Sequence, residues 1–269
     1  MSLSVLTLNI WNDDGPWTER AKRIRSWIER LDPDLIGLQE VLRGESIDQL
    51  EALLEGLGYH TAYARAQDFW KHPTTGFGNA IAARFPILDS EELRLPESGD
   101  GERRVALFAT LDAPFGPVEL ACTHLNWKFH HGAVREQQVA TLCARLIERR
   151  PRGGFPPILV GDFNADPDSA EIRYVTGKQS LAGHSMYLRD SFAHVGDAGD
   201  GSTWCNRNPY ARPALEPDRR IDYVFVGPPR PDGTGLPETC RVVCNEPDGE
   251  VWPSDHFGLL ATLRTEALA

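Results

Sequence analysis

ILVGDFNADPDS, residues 158–169, runs from three consecutive apolar side chains into an acid and an amide. Ile158, Leu159 and Val160 read as a strand entering a core, and the chain is expected to turn at Gly161 and present Asp162, Phe163 and Asn164. A strand that ends this way either caps a turn or holds something, and taken alone these two residues favour the cap. If strand geometry persists, Asp162 and Asn164 stand at i and i+2 and point to the same face.

The pattern recurs. Leu6-Thr7-Leu8 finishes on Asn9, the run from Val118 finishes on His124, and Asp222 stands near the start of the 220–226 run. Ser254-Asp255-His256 precedes the last apolar stretch, and Glu40 lies inside LIGLQEV, residues 35–41. Each has an ordinary reading as a cap, a turn residue or a satisfied core histidine. Glu40 is the hardest to dismiss, because an ionised carboxylate in a buried run costs several kcal/mol unless it is paired or binds a metal. Unrelated reasons for all of them are improbable. If they converge, they describe a divalent-cation site beside two histidines. Carboxylate and amide oxygens are hard ligands of the Mg2+ or Mn2+ type, and the lack of nearby cysteines disfavours structural zinc.

The chain has 269 residues, 41% hydrophobic and 25% charged, as in an ordinary globular protein. A chain of this length buries roughly three quarters of its unfolded surface and needs no staples to fold. No apolar run approaches the ~20 residues of a membrane span, so no membrane insertion is expected. The N-terminus lacks a basic leader and reads as a first strand. Five scattered cysteines form no framework, which suits a reducing, cytoplasmic location. Cys240 and Cys244 would sit about 13 Å apart in a strand and should not bridge. The net charge of −11 argues weakly against broad attraction to a polyanion, although a bound cation would reverse the local field.

Strand-type runs fall at 3–10, 35–41, 79–83, 104–111, 117–123, 157–161, 221–227, 239–244 and 257–263. Helices are expected over 18–31 with Thr18 as N-cap, over 46–57 from a Ser46-x-x-Gln49 capping box to Gly58, and over 133–149. The last carries Val139, Leu142, Leu146 and Ile147 on one stripe, and Ser169 is expected to cap a short helix to about Val175. Strands outnumber helices about two to one, so the chain is not a strict βαβ alternation. Mixed sheets packed face to face with helices outside fit better. The Pro/Gly-rich stretches at 95–101, 151–157 and 227–237 read as surface loops within one domain, residues 1–269.

With these residues set side by side, the chain resembles the endonuclease/exonuclease/phosphatase superfamily of DNase I-like fold. The matching stretches are TLNIW (7–11), LQEV (38–41), GNAIAARFPI (78–87), THLN (123–126), GDFN (161–164), RRIDYVFV (219–226) and SDHFGL (254–259), and they span almost the whole chain. The resemblance implies a four-layer α/β/β/α sandwich of two mixed sheets, an α/β (α+β) fold. It further implies a Mg2+- or Mn2+-dependent phosphoric ester hydrolase in which water attacks phosphorus in line. Asn9, Glu40 and Asp255 match the metal positions. His256 matches the histidine that acts as general base or contacts the scissile phosphate, and Asp222 the acid that orients it. Asp162 and Asn164 match residues that position water and bind phosphate oxygens, and His124 matches the DNase I-type histidine. One metal ion or two is left open. Asp166 and Asp168 read as structural, and Arg104, Arg135 and Gln138 stay outside the expected site.

Substrate loops set specificity in such a fold. Those at 63–77, 126–133 and 202–213 mix aromatic and basic residues, among them Trp127 and Trp204, which with Asn79 are the expected substrate contacts. Aromatics among cations suit stacked bases and their phosphates, but equally a lipid headgroup or sugar phosphate. Nucleic acid and another phosphoester, diester or monoester, therefore stand level as substrate. The absence of a long basic segment lowers the non-specific nuclease reading. The motif spacing also resembles the tyrosyl-DNA phosphodiesterase branch. A monomer is expected, and the intact acids and histidines disfavour an inactive phosphate-binding member.

Overall fold

Alternation along the central strands produces the layering. The computed structural model describes residues 2–267. Its strands are β1 (Ser2–Asn9), β2 (Leu35–Arg43), β3 (His60–Phe69), β4 (His72–Ala83), β5 (Ile87–Arg94) and β6 (Val105–Ala113), then β7 (Gly116–His124), β8 (Ile158–Asp162), β9 (Arg189–Asp190), β10 (Asp222–Val226), β11 (Pro237–Val243) and β12 (Gly258–Arg264). The helices are α1 (Trp17–Leu31), α2 (Gln49–Leu54), α3 (Gly132–Arg149), α4 (Ala170–Val175) and α5 (Ser191–Val195). They form two six-stranded mixed sheets, ordered β11-β12-β1-β2-β4-β3 and β5-β6-β7-β8-β10-β9.

In β1, Leu3 and Val5 face the second sheet and pack with Leu120, Val160 and Val224, whereas Leu6 and Leu8 face outward against Ile24, Trp27 and Ile28 of α1. In β10, Val224 and Val226 face inward, while Tyr223 and Phe225 pack outward with Val139, Leu142 and Leu146 of α3. Both faces of the central strands are therefore buried, and the four-layer α/β/β/α sandwich follows. Each sheet contains one parallel pair, β1–β2 and β7–β8, and each pair is joined by a crossover carrying a long helix, α1 or α3.

Register then aligns the polar strand ends. His124 pairs with Asp162 across the parallel β7–β8 ladder, and Asp222 pairs with Asp162 across antiparallel β8–β10. In the first sheet Asn9 stands opposite Gln39, beside Glu40.

Several local expectations change. β8 does not turn at Gly161 but continues through Asp162; a Cβ at Gly161, with φ +148°, would lie 2.0 Å from the Thr123 carbonyl oxygen. Strand geometry stops at Asp162, and Asn164 takes a left-handed φ of +51°, so the i, i+2 argument does not place these two side chains. Thr18 is inside α1, whose N-cap position is Pro16 with no side-chain cap bond. The Ser46 capping box does not form: α2 starts at Gln49, and Asp48 caps it by accepting the Glu51 N–H. Ser169 occupies the N-cap of α4 without a side-chain cap bond. Ile147 of α3 is 42% exposed and outside the buried stripe. The 63–77 stretch is the β3–β4 hairpin rather than a loop. All five cysteines are free, among the described residues.

Candidate active site

A bulge aims Glu40. The β2–β4 register slips between Leu38 and Val41, and Glu40 takes φ +61° there. Such an irregularity redirects a side chain out of the alternating pattern. The Asn9 amide donates to Glu40 Oε1 at 3.3 Å and to Asp162 Oδ2 at 3.1 Å, bridging the two sheets. Asn12 donates to Glu40 Oε2 at 2.8 Å. Trp11 N–H donates to Asn9 Oδ1 at 3.0 Å and fixes which end of that amide faces the carboxylates. Ser254 Oγ donates to the Asn9 carbonyl at 2.7 Å and to Asp255 Oδ1 at 3.1 Å, tying the segment before β12 to the end of β1.

Both histidines converge on Asp162. His124 Nε2 lies 3.3 Å and His256 Nε2 3.7 Å from Asp162 Oδ2, and His256 Nδ1 lies 2.9 Å from Asp222 Oδ2. Asp222 is fully buried, and its other oxygen has no hydrogen-bond partner. Asp162 also serves the turn, accepting Asn164 N–H at 2.9 Å, while the Asn164 amide donates to the Leu125 carbonyl at 3.1 Å. Capping and site-building thus coexist in one residue.

Electrostatics separate the two rings. Burial, then Arg104 and His256, hold the His124 pKa well below the ordinary histidine value. Burial alone would do the same to His256, but the Asp222 and Asp162 carboxylates override it and hold its pKa well above that value. Burial and the nearby Asp222 push Asp162 up to about 6, and burial pushes Asp255 up to about 7, with Glu40 adding to the rise. The two rings in one pocket are thus pushed in opposite directions, the divergence expected of groups with distinct proton-transfer duties.

These groups open into a cavity of about 540 Å3. Asn9, Glu40, His124, Asp162, Asn164, Asp255, His256, Trp127 and Trp204 all line it. Asp222 stands behind His256. Asn79 is not on the wall: it is buried, and its amide donates to the Val105 carbonyl at 2.8 Å, a sheet-to-sheet tie. The walls also include Trp11, Asn12 and Arg219, which were not expected at the site, Trp70 of the 63–77 stretch, and Arg104, which was expected to stay outside it. Arg104 is 6% exposed and pairs with Glu102, so it is a buried pocket residue rather than a surface one. Arg135 and Gln138 face inward without reaching the cavity; Arg135 pairs with Glu171 and Gln138 donates to Asn126. Asp166, read as structural, pairs with Arg219.

The donor set fits a hard divalent cation. Glu40, Asp162 and Asp255 are carboxylates close enough to perturb one another or to share the Asn9 and Ser254 tethers, and two of the three have raised pKa values. Added positive charge relieves that repulsion, and oxygen ligands suit Mg2+ or Mn2+. Asp162, Asp222 and His256 also offer ligand atoms within 4.8 Å of one another. There the His256–Asp222 hydrogen bond already uses one of the ring's nitrogens.

Two mixed sheets between helices, with an acid–amide–histidine pocket at their shared end, define the DNase I-like class of fold. The chain belongs to the endonuclease/exonuclease/phosphatase family, whose model matches residues 6–256. It is 28% identical over 177 residues to carbon catabolite repressor protein 4 homolog 3 of Arabidopsis thaliana, covering 61% of this chain and 36% of that protein. It is 26% identical to the inositol phosphosphingolipids phospholipase C of Schizosaccharomyces pombe over an alignment of 299 residues, covering 97% of this chain and 68% of that enzyme. D. rerio TDP2 complexed with a single-strand DNA product has the same fold, with a TM-score of 0.74, 19% identity and coverage of 98% of this chain and 99% of that one. The chain spans about a third of the Arabidopsis protein it matches and 64% of Xenopus laevis nocturnin.

Proposed function

We propose that the protein is a Mg2+- or Mn2+-dependent phosphoesterase of the phosphodiesterase and nuclease type, with a nucleic-acid phosphodiester or DNA-end adduct as substrate. The observation that carries this reading is His256. Its Nδ1 is anchored at 2.9 Å on a fully buried carboxylate, and its Nε2 faces the same Asp162 oxygen that Asn9 bonds. Asp222 thereby fixes the ring so that a proton is held or moved at Nε2, on the cavity side. Asp162, with an acceptor oxygen between the two rings, orients the attacking water, and the Asn164 and His124 side chains contact phosphoryl oxygens. Glu40 and Asp255 hold the cation, which when bound acts as a Lewis acid on a phosphoryl oxygen, while Asn9, expected from sequence at a metal position, turns its N–H2 end to Glu40 and Asp162 and orients these carboxylates.

Aromatic walls support the substrate class. Trp70 is 59% and Trp127 53% exposed at the cavity rim, beside Trp11 and Trp204. Exposed indoles at a charged pocket favour stacked bases, each worth about 1–3 kcal/mol. The fold likeness to a DNA-product complex supports the same class, whereas the phospholipase C relative keeps a sphingolipid phosphodiester in the test. A panel of single- and double-stranded DNA, RNA, 5′-tyrosyl DNA, sphingolipid, inositol phosphates and bis(p-nitrophenyl) phosphate, each with Mg2+ or Mn2+, decides it. Hydrolysis of a nucleic-acid member is expected; turnover confined to the lipid reverses the substrate choice, and no turnover of any member refutes the enzyme.

Glu40→Gln removes one anionic oxygen from the cation's side of the pocket and leaves a single acceptor oxygen, enough for Asn9 or Asn12 but not for both. The Mg2+ concentration for half-maximal activity is expected to rise by about tenfold or more. An unchanged metal titration removes Glu40 from the cation site.

A further inference from the structure

Arg20 is a fully buried arginine, on helix α1. A guanidinium has five N–H donors, and here all five end on main-chain carbonyls. Nε donates to Asp14 at 2.9 Å, Nη1 to Ile10 at 2.7 Å and Pro253 at 3.1 Å, and Nη2 to Trp11 at 2.9 Å and Asn12 at 3.1 Å. One of its two ring contacts is with the site: the guanidinium lies 4.8 Å from the Trp11 ring centroid, and 5.3 Å from that of Trp17 on its own helix. No carboxylate takes one of its hydrogen bonds, so the usual partner of a buried charge is replaced by backbone.

The carbonyls it gathers belong to the two segments that flank the cation ligands, one bonded to Glu40 through Asn12 and the other leading into Asp255. Residues 10–14 follow Asn9, and Pro253 precedes Ser254 and Asp255. Within the first segment Trp11 and Asn12 have φ +56° and +36°, values a non-glycine side chain adopts only under constraint. Those two strained residues pass the constraint on, Trp11 N–H to Asn9 Oδ1 and the Asn12 amide to Glu40 Oε2. We propose that Arg20 is the positioning residue of the cation site: it clamps the 10–14 loop to the segment before Asp255, and Asn12 is the link that carries its grip to Glu40. The clamp sets how tightly the site holds a divalent cation, and it acts through the main chain rather than by touching ion or substrate. This rests on the metal-dependent reading given above.

Arg20→Lys keeps the charge but offers only three donors, so at least two of the five carbonyls lose their partner. Asn12→Ala breaks the link to Glu40 and leaves Arg20 in place. Direct Mn2+ titrations, read by the paramagnetic resonance of free Mn2+, are made on the full chain and both variants. Melting temperatures are recorded in EDTA, and turnover of bis(p-nitrophenyl) phosphate is followed against Mn2+. Both variants are expected to bind Mn2+ about tenfold or more weakly, with KM for the diester at saturating Mn2+ within about twofold of wild type and turnover recovered by added Mn2+. A purely structural arginine gives a lower melting temperature with unchanged Mn2+ affinity, which overturns the proposal. If Arg20→Lys does not fold, Asn12→Ala decides alone, and Mn2+ affinity within about twofold of wild type overturns it. Wild-type protein that binds no Mn2+ refutes instead the metal-dependent reading, and the clamp's role with it.

Discussion

Replacing His256 with alanine is expected to lower kcat by about a thousandfold, the scale of losing one positioned proton-transfer group. The loss follows from what the ring alone provides. Asp222 and Asp162 hold its pKa above the ordinary histidine value, its Nε2 is the nitrogen turned to the cavity, and the Asp222 contact at 2.9 Å holds it there. His124 cannot take over, since burial keeps it neutral and its register on β7 places it on the far side of Asp162. Stability also falls in the alanine variant, because Asp222 is left as a buried carboxylate with neither oxygen paired to a side-chain cation. His256→Gln separates the two effects by keeping an amide donor for Asp222 while removing the titratable ring. Both variants are expected to be comparably inactive when assayed well below their melting temperatures. Turnover near wild type in either one refutes the assigned role.

Asp162→Asn is expected to abolish measurable turnover, with kcat down by at least about a thousandfold, and to flatten the ion-free protein's loss of stability with rising pH, at the cost of one of the two hydrogen bonds that the carboxylate accepts. The sign follows from linkage. A carboxyl whose folded pKa is raised binds its proton more tightly in the folded state, so its stabilising contribution is present below the unfolded value and lost as pH climbs through the folded one. For Asp162 that window runs from the ordinary value 3.8 to about 6, and for Asp255 it extends to about 7. An amide at 162 escapes the penalty. In EDTA, wild type should lose stability relative to the variant as pH rises from about 4 to about 6. Adding Mn2+ should stabilise wild type more than the variant. A variant whose stability in EDTA falls as steeply as that of wild type over this range shows that Asp162 is not the group that titrates there.

Legibility from sequence tracked burial. β1, β2, β7, β8, β10 and β12 are covered on one or both faces and read as near-continuous apolar runs, so their bounds came within a few residues. β3, β5 and β9 were passed over, and each is the edge of a sheet. β5 shows why: ILDSEELR is mostly solvent-facing, and edge strands carry charge that hides them from a hydrophobicity pattern. The motif acids and histidines were legible because polar residues ending apolar runs demand a reason. Asn79 looked similar but spends its amide on Val105. Arg20 had a weaker signal: a cation on the apolar stripe of a helix, between Trp17 and Ile24, which burial obliges to find partners. Arg104, at the start of a strand, could reach phosphate, but a surface role read as at least as good, and only its packing against Glu102 shows it to be a buried wall residue.

The place of β1 has a consequence for the order in which the site can form. The strand lies between β2 and β12, pairing Ser2 with Arg264 and Thr7 with Leu259. Its neighbour β12 is far away along the chain, and Asp255 and His256 stand just before it. Sequence separation of this kind slows folding, because distant segments must meet before any contact rewards them. Asn9 and Glu40 therefore gain Asp255 and His256 only when β12 docks on β1. A pocket assembled this way forms with the closure of its sheet and not ahead of it.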